Sequence, residues 1–375
     1  MYCTRATVTE LRHEKKKGKL LLISPFPNNQ GMYPHLRDVI DELSEHYTID
    51  YFYKYERGLS LEDKFSFLKE DFYKLLYHLA KDIFGLLRRR VFEQYDTIIA
   101  IDNLPYVVTA LIFQRTVVLW SHDFVSHDQP KSATLIYKLI AKLTKQRLVR
   151  DGKIIIQDKE RLHAFLKSIE CDEVDVEAFY LPVSLLPIKN SEDSRHNINS
   201  DKPVLMQIGG INAGGSRSDQ LIKYYQNYTN KFSLFFHGFV TDEIYELIFN
   251  LENIPLISSC SVRPAQLSQI VRFCDIGFIS YAGGDINSYY LSTASGQLAG
   301  FLKCGKPIIA IGETDLHGYL ERNKIGISIK SFDDLVSAIQ IVQQSYSYYS
   351  ENCAKMFDDV YNLRNYTRRL LTYLK

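Results

Sequence analysis

A predicted helix near residue 295 begins with small residues and ends beside an apolar strand. The stretch ASGQLAGFLKCGKPIIAI (294–311) places Ser295, Gly296 and Gln297 at the helix start and a tight stop at Cys304–Pro307. A helix N-terminus offers unpaired N–H groups and about half a positive charge, so it attracts phosphate. Serine and glycine there let phosphate approach closely. The segment predicts a diphosphate site, although a plain helix–turn–strand unit gives the same pattern.

A glycine-rich segment also has residues suited to phosphate. GGINAGGSRSD (209–219) contains four glycines, including Gly209 and Gly210, and one cation, Arg217. Glycines let the backbone approach phosphate, and an arginine can neutralise its charge. The segment is not a Walker loop, because no Gly-Lys-Ser/Thr follows, and a lone glycine-rich loop is a weak signal. A flexible surface loop is the alternative.

Other candidates stand where a predicted strand ends. His122 in WSHDF (120–124) can orient a hydroxyl or carry charge, and a solvated loop with capping residues is the alternative. Amide and carboxylate side chains can form hydrogen bonds with the hydroxyl groups of a ligand. Three further loops supply the remaining candidates: Gly31 in SPFPNNQGMYP (24–34), Arg263 in SVRP (261–264), and Asp285 with Asn287 in YAGGDINSYYLSTASG (281–296). For these loops, simple turns and edge packing are the alternatives.

Strands and helices alternate along the chain in two similar runs. Apolar strands are predicted in the first run at 19–26, 48–55, 96–102, 115–123, 153–158 and 176–183, and in the second at 203–210, 232–239, 254–259, 276–281, 307–312 and 326–329. This alternation predicts an α/β fold of two doubly wound parallel sheets, with ligands at the carboxyl ends of the strands and a cleft between the sheets.

The predicted boundaries follow from composition. We expect five segments: a polar leader (1–18), a first Rossmann-like domain (19–188), a linker (189–202), a second Rossmann-like domain (203–347), and C-terminal helices that pack back toward the first domain (348–375). The linker includes NSEDSRHNINSDK, which is polar and has no periodicity.

Bulk properties exclude several classes of protein. The 375 residues carry a net charge of +1, which does not favour a general nucleic-acid binder. The six cysteines are scattered and form no CxxC pair, so neither a zinc site nor a disulfide framework is expected. No apolar run approaches the roughly 20 residues that a membrane span needs. Together these features predict a reduced, cytoplasmic chain.

The order of motifs resembles the GT-B glycosyltransferases, and most closely their retaining family-4 type. The resemblance rests on SGQLAGFLKCGKPIIA and on four shorter matches: Ser121-His122-Asp123, Ile154–Gln157, Leu181-Pro182-Val183 and Gly209-Gly210. It implies transfer of a sugar from a nucleoside-diphosphate sugar to a glycan or lipid-linked acceptor in surface polysaccharide or glycoconjugate synthesis. No DxD-type acidic motif stands at a suitable strand end, so no metal ion is expected.

The resemblance also implies roles for single residues. His122 is expected to contact the donor sugar, and Gly31 to approach donor and acceptor. The position of Arg263 often meets the nucleotide base in this fold. The donor site is expected to include Gly209, Gly210, Asp285, Asn287, Ser295, Gly296 and Gln297, with Arg217 beside the leaving group.

The chain departs from the family at several of these positions. Gly300 stands where a ribose-binding Glu is usual, Gln297 stands where a Lys is often found, and Arg217 comes later than the usual cations. Two alternatives therefore stay open: a catalytically inactive GT-B subunit that supports a partner enzyme, and a nucleotide-sugar epimerase on the same fold.

Two basic segments suggest contact with anionic lipid at the inner face of a membrane. They are Arg88–Arg90 and residues 131–150, where six lysines and arginines occur without an acidic residue. The alternative is an ordinary solvated helix face.

Overall fold

The computed structural model contains two parallel sheets of six strands each. It describes residues 18–24, 34–53, 95–112, 115–122, 134–171, 176–188, 202–259, 262, 264–283 and 286–375. The predicted leader (except Gly18), most of the linker and Arg88–Arg90 lie outside the described residues. The prediction of two doubly wound α/β units is confirmed.

The first sheet has the strand order β2-β1-β3-β4-β5-β6. Its strands are β1 (Gly18–Ser24), β2 (Tyr47–Tyr53), β3 (Thr97–Ile101), β4 (Val118–Trp120), β5 (Lys153–Ile156) and β6 (Glu177–Tyr180). The described helices of this half are α1 (Pro34–Ser44), α2 (Asn103–Ile112), α3 (Thr134–Asp151) and α4 (Lys159–Ser168).

The second sheet has the strand order β12-β11-β10-β7-β8-β9. Its strands are β7 (Val204–Ile211), β8 (Ser233–Val240), β9 (Leu256–Ser258), β10 (Ile276–Ser280), β11 (Ile308–Ile311) and β12 (Gly326–Ile329). The helices that follow are α5 (Ser218–Asn227), α6 (Asp242–Phe249), α7 (Pro264–Val271), α8 (Ile286–Tyr289), α9 (Gly296–Lys303), α10 (Leu316–Arg322), α11 (Leu335–Gln344), α12 (Tyr346–Met356) and α13 (Arg364–Tyr373).

The apolar strands are buried on both faces, as parallel sheets require. In β1, Leu20 and Leu22 pack into the core on one face of the sheet, whereas Leu21 and Ile23 pack into the core on the other. Successive side chains of a strand point to opposite faces, so a continuous apolar run supplies both cores at once. This is why these strands could be recognised from sequence.

Helix α2 was not predicted, because the sequence was interpreted as one strand followed directly by another. Its sequence, NLPYVVTALI, is apolar on most sides rather than on one stripe. Tyr106, Val107 and Val108 are all buried. A helix that is covered nearly all round lacks the periodicity by which amphipathic helices are recognised.

The C-terminal segment runs from the second half back to the first. Residues on α12 and in the π-helical turn Phe357–Tyr361 pack into the core of the second half. Leu363, Leu370 and Tyr373 instead pack with strands of the first sheet. The N–H of Leu363 donates to the carbonyl of Leu185 (3.0 Å), so the two chain passages between the halves are hydrogen-bonded to each other.

Each sheet has one point where the strand order reverses, between β1 and β3 in the first and between β7 and β10 in the second. Loops that follow the two strands at such a point run in opposite directions and leave a crevice, which is where ligands bind in open α/β sheets. The loop after β7 contains Gly209 and Arg217, and the segment after β10 leads to Ser295 and Gly296. The crevice of the second sheet is therefore the first place to look for a site.

Candidate functional site

Polar side chains hold the glycine-rich loop after β7 in one path. The buried Gln207 amide donates to the carbonyl of Ser216 (2.9 Å) and accepts from the Ser218 hydroxyl (3.0 Å). The Asn212 side-chain oxygen accepts from the backbone N–H groups of Gly215 (2.6 Å) and Ser216 (3.2 Å). These bonds occur within the loop and to its own strand, so the path of the loop is held by contacts within the protein.

The loops after β7 and β10 are joined across the crevice. The N–H of Ala282 donates to the carbonyl of Gly215 (2.8 Å), and the Arg217 guanidinium donates to the carbonyl of Ala282 (3.3 Å). Arg217 is half-buried and has a left-handed backbone (φ 49°), which is uncommon for a non-glycine residue. Within the described part of the chain, no carboxylate forms an ion pair with it.

The start of α9 divides the predicted phosphate residues into structural and open positions. The Ser295 hydroxyl caps the helix, accepting from the N–H of Leu298 (3.2 Å), and lies 3.2 Å from the Tyr281 hydroxyl. Gly296 is exposed, and a Cβ placed on it would have no neighbour within 4 Å. The surface at Gly296 therefore faces open space, and of the first-turn N–H groups that of Leu298 is taken by the cap.

Gly209 and Gln297 come together although they are distant in sequence. A Cβ on Gly209 would lie 3.2 Å from the Gln297 amide nitrogen, and the φ of Gly209 is +100°. A side chain is disfavoured there both by conformation and by space. The hydroxyl of Ser280 and the side-chain oxygen of Gln297 are buried and find no hydrogen-bond partner among the described residues. Such groups are uncommon in native structures, since an unpaired buried polar atom costs about 1–3 kcal/mol.

Position 300, where the resemblance leads one to expect Glu, belongs to the packed core. Gly300 is buried, and a Cβ on it would lie 3.5 Å from Cδ1 of Ile208 in β7. The glycine at this position packs in the core between α9 and the sheet, and it supplies no carboxylate to the site. Gly210 lies at the carboxyl end of β7 and is exposed.

His122 is buried at the carboxyl end of β4, with 7% of its surface exposed. The backbone N–H of His122 donates to the Asp102 carboxylate (2.8 Å). The imidazole ring packs against the indole of Trp120, with ring centroids 4.9 Å apart. Burial, followed by the nearby His35 and Arg161, lowers the pKa of His122 well below its usual value. At neutral pH this imidazole is uncharged, so it acts as a hydrogen-bonding group rather than as a cation.

Arg161 joins the His122 segment to the second half of the protein. This side chain is only 1% exposed. Its guanidinium donates to the carbonyl of Tyr290 (2.8 Å), to the side-chain oxygen of Gln157 (2.7 Å) and to the carbonyl of His122. It also lies 3.5 Å from the side-chain oxygen of Asn287, which places that predicted donor residue at the junction.

Sequence reasoning missed Arg161. The only signal was the polar pair Gln157-Asp158 directly after a buried strand. Asp158 caps α4 by accepting from the N–H of Arg161 (2.7 Å), and its other oxygen accepts from the Thr293 hydroxyl. The cap and the cation thus both connect α4 to the loop before α9.

The loop before α9 is also held by hydrogen bonds from side chains of the second half. One Asp315 oxygen accepts from the N–H groups of Leu291 (2.7 Å) and Ser292 (2.9 Å). The Tyr361 hydroxyl donates to the carbonyl of Ser292. The loop that leads into the α9 N-terminus is therefore held by both halves of the chain.

Three predicted site residues, Gly31, Arg263 and Asp285, lie outside the described residues. The described ones form two groups. One group, at the crevice of the second sheet, comprises Gly209, Gly210, Arg217, Ser295, Gly296 and Gln297. The other comprises His122 and Asn287, which Arg161 connects.

Residues 256–373 match the family described as Glucosyltransferase 3-like, C-terminal domain. No curated protein sequence matches the chain at a significant level. A sucrose-phosphate synthase from Thermosynechococcus elongatus is 14% identical with a TM-score of 0.67, over 95% of this chain and 98% of that one.

Two further solved structures align over nearly the whole chain. Anabaena HepE, solved in complex with UDP-glucose, is 13% identical with a TM-score of 0.65, over 95% of this chain and 99% of that one. WaaG, described as a glycosyltransferase involved in lipopolysaccharide biosynthesis, is 12% identical with a TM-score of 0.61, over 95% of this chain and 99% of that one. At these identities the likeness establishes the fold.

The Arg161 junction leads to a stability prediction. Replacing Arg161 with Met should lower the free energy of unfolding by about 2 kcal/mol or more, because buried carbonyls of both halves lose a charged donor. Urea unfolding of Arg161→Met beside Lys159→Met, an exposed cation on the same helix, measures this. Equal stability of the two variants would show that the junction contributes nothing.

Proposed function

We propose that this chain, which has the GT-B glycosyltransferase fold and a Glucosyltransferase 3-like C-terminal domain, transfers a sugar from a nucleoside-diphosphate sugar to an acceptor hydroxyl. The observation that carries the proposal is the crevice of the second sheet. There, the open first turn of α9, the Gly209–Gln297 contact and the Arg217 guanidinium lie beside the same strand ends.

The crevice suits a diphosphate for electrostatic reasons. First-turn N–H groups of α9 and the helix dipole attract anions, and the exposed Gly296 leaves room for them. Among the described residues, the buried Ser280 hydroxyl has no partner and can donate to phosphate, whereas the unpartnered Gln297 oxygen can only accept, for example from a hydroxyl of the donor. The loop of Gly209–Arg217 is already ordered by Gln207 and Asn212, so binding needs little reorganisation.

The chemistry follows from these groups. The slow step in sugar transfer is departure of the diphosphate, and preorganised donors stabilise the negative charge that develops on it. Backbone N–H groups of α9 and the Arg217 guanidinium fill that role. His122, neutral and fixed beside Trp120, offers a hydrogen bond to a sugar hydroxyl. Closure of the two halves on the donor would exclude water and prevent hydrolysis.

The donor class is supported by structural neighbours. The Anabaena structures contain UDP or UDP-glucose, so a uridine nucleotide is the first donor to test. Retention of anomeric configuration and a role in surface polysaccharide or glycoconjugate synthesis rest on the sequence resemblance, and WaaG supports the latter. The proposal requires no metal ion, since N–H groups and Arg217 supply the positive charge.

The first prediction for this site concerns Gly296. Gly296→Trp should weaken UDP binding at least about tenfold, because the indole would occupy space next to the first-turn N–H groups, and a Cβ at this position has no neighbour within 4 Å. Calorimetric titration with UDP measures the affinity. Gln340→Trp, an exposed position on α11, is the matched control. Undiminished UDP affinity in Gly296→Trp would place the diphosphate elsewhere.

The second concerns Arg217. A charge-assisted contact to phosphate is worth roughly 1.5–3 kcal/mol, so Arg217→Ala should lower the transfer rate about tenfold or more, and Arg217→Lys less. Lys223→Ala, an exposed cation on α5, serves as control. Transfer rates come from single-turnover assays with UDP-glucose. A rate insensitive to Arg217→Ala would leave backbone N–H groups as the whole anion site.

The same assays separate the alternatives. A parent protein that neither transfers nor hydrolyses common nucleotide sugars, over a broad acceptor panel, would indicate the inactive subunit. Conversion of the nucleotide sugar to its epimer without transfer would indicate the epimerase. The missing carboxylate at position 300 counts against the epimerase, which needs acids and bases around the sugar.

We also propose that α3 contacts anionic lipid. Its outer face exposes Lys138, Lys142 and Arg150 together with Leu139 (51% exposed) and Val149 (59% exposed). Cations around exposed apolar side chains suit the headgroup region of an anionic bilayer. No helix in the described ranges is long and apolar enough to cross a membrane.

Vesicle sedimentation tests this contact. Lys138→Glu/Lys142→Glu should reduce binding to vesicles containing phosphatidylglycerol about tenfold or more, since each cation near the surface contributes about 1 kcal/mol. Lys223→Glu/Lys355→Glu makes the same charge change on exposed positions of the second half. An equal loss of vesicle binding in both variants, or no vesicle binding by the parent protein, would show that α3 is an ordinary solvated helix.

A further inference from the structure

Two histidines from different elements meet beside the first sheet. His35 is the second residue of α1, and His122 follows β4; each is 7% exposed. The Nε2 atom of His35 lies 3.2 Å from the Nδ1 atom of His122, and the ring centroids are 4.9 Å apart. The two residues are 87 positions apart, so the contact is created by the fold.

The backbone of His122 is fixed independently of its ring. Its N–H donates to Asp102 and its carbonyl accepts from Arg161. The indole of Trp120 covers another part of the ring. His35 contacts Nδ1, one of the two ring nitrogens that can carry the imidazole hydrogen of His122.

Both rings are uncharged at neutral pH. Burial lowers the pKa of His35 to about 4 and is also the main reason why the pKa of His122 lies well below its usual value. The Arg161 guanidinium on α4 opposes protonation of His122, and so does His35 on α1 when it is itself protonated. A neutral imidazole carries one N–H and one bare nitrogen, so a hydrogen bond between two such rings requires complementary tautomers.

We infer that His35 is a positioning residue that holds the imidazole of His122 in a single neutral tautomer. If Nδ1 of His122 accepts from His35, its Nε2 carries the hydrogen, and if Nδ1 donates, its Nε2 is bare. Either way, His35 decides whether the far nitrogen of His122 donates or accepts. The consequence for catalysis rests on the proposed function, in which His122 bonds a donor-sugar hydroxyl.

The tautomer can be observed directly. In the full-length protein labelled with ¹⁵N-histidine, long-range proton–nitrogen correlation spectra distinguish a protonated from a bare ring nitrogen. His122 is assigned by the signals lost in His122→Asn. The parent should show two well-separated nitrogen shifts for His122, unchanged between about pH 6 and 8.

Three variants isolate the role of His35. His35→Phe keeps a ring but removes the hydrogen bond, so the two His122 nitrogen shifts should move toward each other as the tautomers mix. His35→Gln has an amide that can donate or accept and should restore a single tautomer. His163→Phe changes an exposed histidine on α4 and should leave the His122 signals unaltered.

Activity gives a second readout. Turnover with UDP-glucose should fall about tenfold in His35→Phe with KM for the donor unchanged, and His35→Gln should recover part of it. Averaged tautomers in the parent, or His122 shifts that His35→Phe leaves in place, overturn the inference. A single tautomer that depends on His35 in a parent without transfer activity would uphold it and contradict the proposed function instead.

Discussion

A guanidinium buried between the two halves of the protein is the constraint on which the arrangement of the site depends. Removing an arginine from water is unfavourable unless each donor meets an acceptor. The described acceptors of Arg161 come from both halves and include the carbonyl of His122, the side chain of Gln157 and the carbonyl of Tyr290. The segment after β4 and the loop before α9 are therefore fixed relative to each other by one side chain.

The crevice of the second sheet is organised by a different network. Gln207 and Asn212 hold the loop after β7, the backbone of Ala282 joins it to the loop after β10, and Ser295 caps α9. Each of these side chains is occupied by protein contacts. Among the described residues, the groups left for a ligand include backbone N–H groups of α9, the Arg217 guanidinium, the Ser280 hydroxyl and the side-chain oxygen of Gln297. Donors fixed in advance are what stabilises charge that develops during a reaction.

Local sequence signals predicted the sheets well and the site in part. Apolar runs such as KLLLIS and TIIAI marked buried strands, and Ser295-Gly296 marked a capped helix start that the structure has. Helix α2 was not predicted from the sequence, because a helix buried on most sides lacks the amphipathic period. Arg161 and His35 were not predicted as site residues for another reason. The local sequence around Arg161 offers only Gln157-Asp158 as a signal, because its contacts with His122 and Tyr290 span 39 positions or more, and His122 lies 87 positions from His35. The contact of Gly209 with Gln297 is equally non-local.

The central claim is that the crevice between β7 and β10 binds the diphosphate of a nucleotide sugar. A crystal structure of the full-length protein soaked with UDP-glucose tests it most directly. The account predicts diphosphate oxygens at about 2.7–3.2 Å from the backbone nitrogens of Gly296 and Gln297, with the Arg217 guanidinium turned toward them. A nucleotide bound away from the α9 N-terminus, or a crevice that stays empty at saturating UDP-glucose, would contradict it.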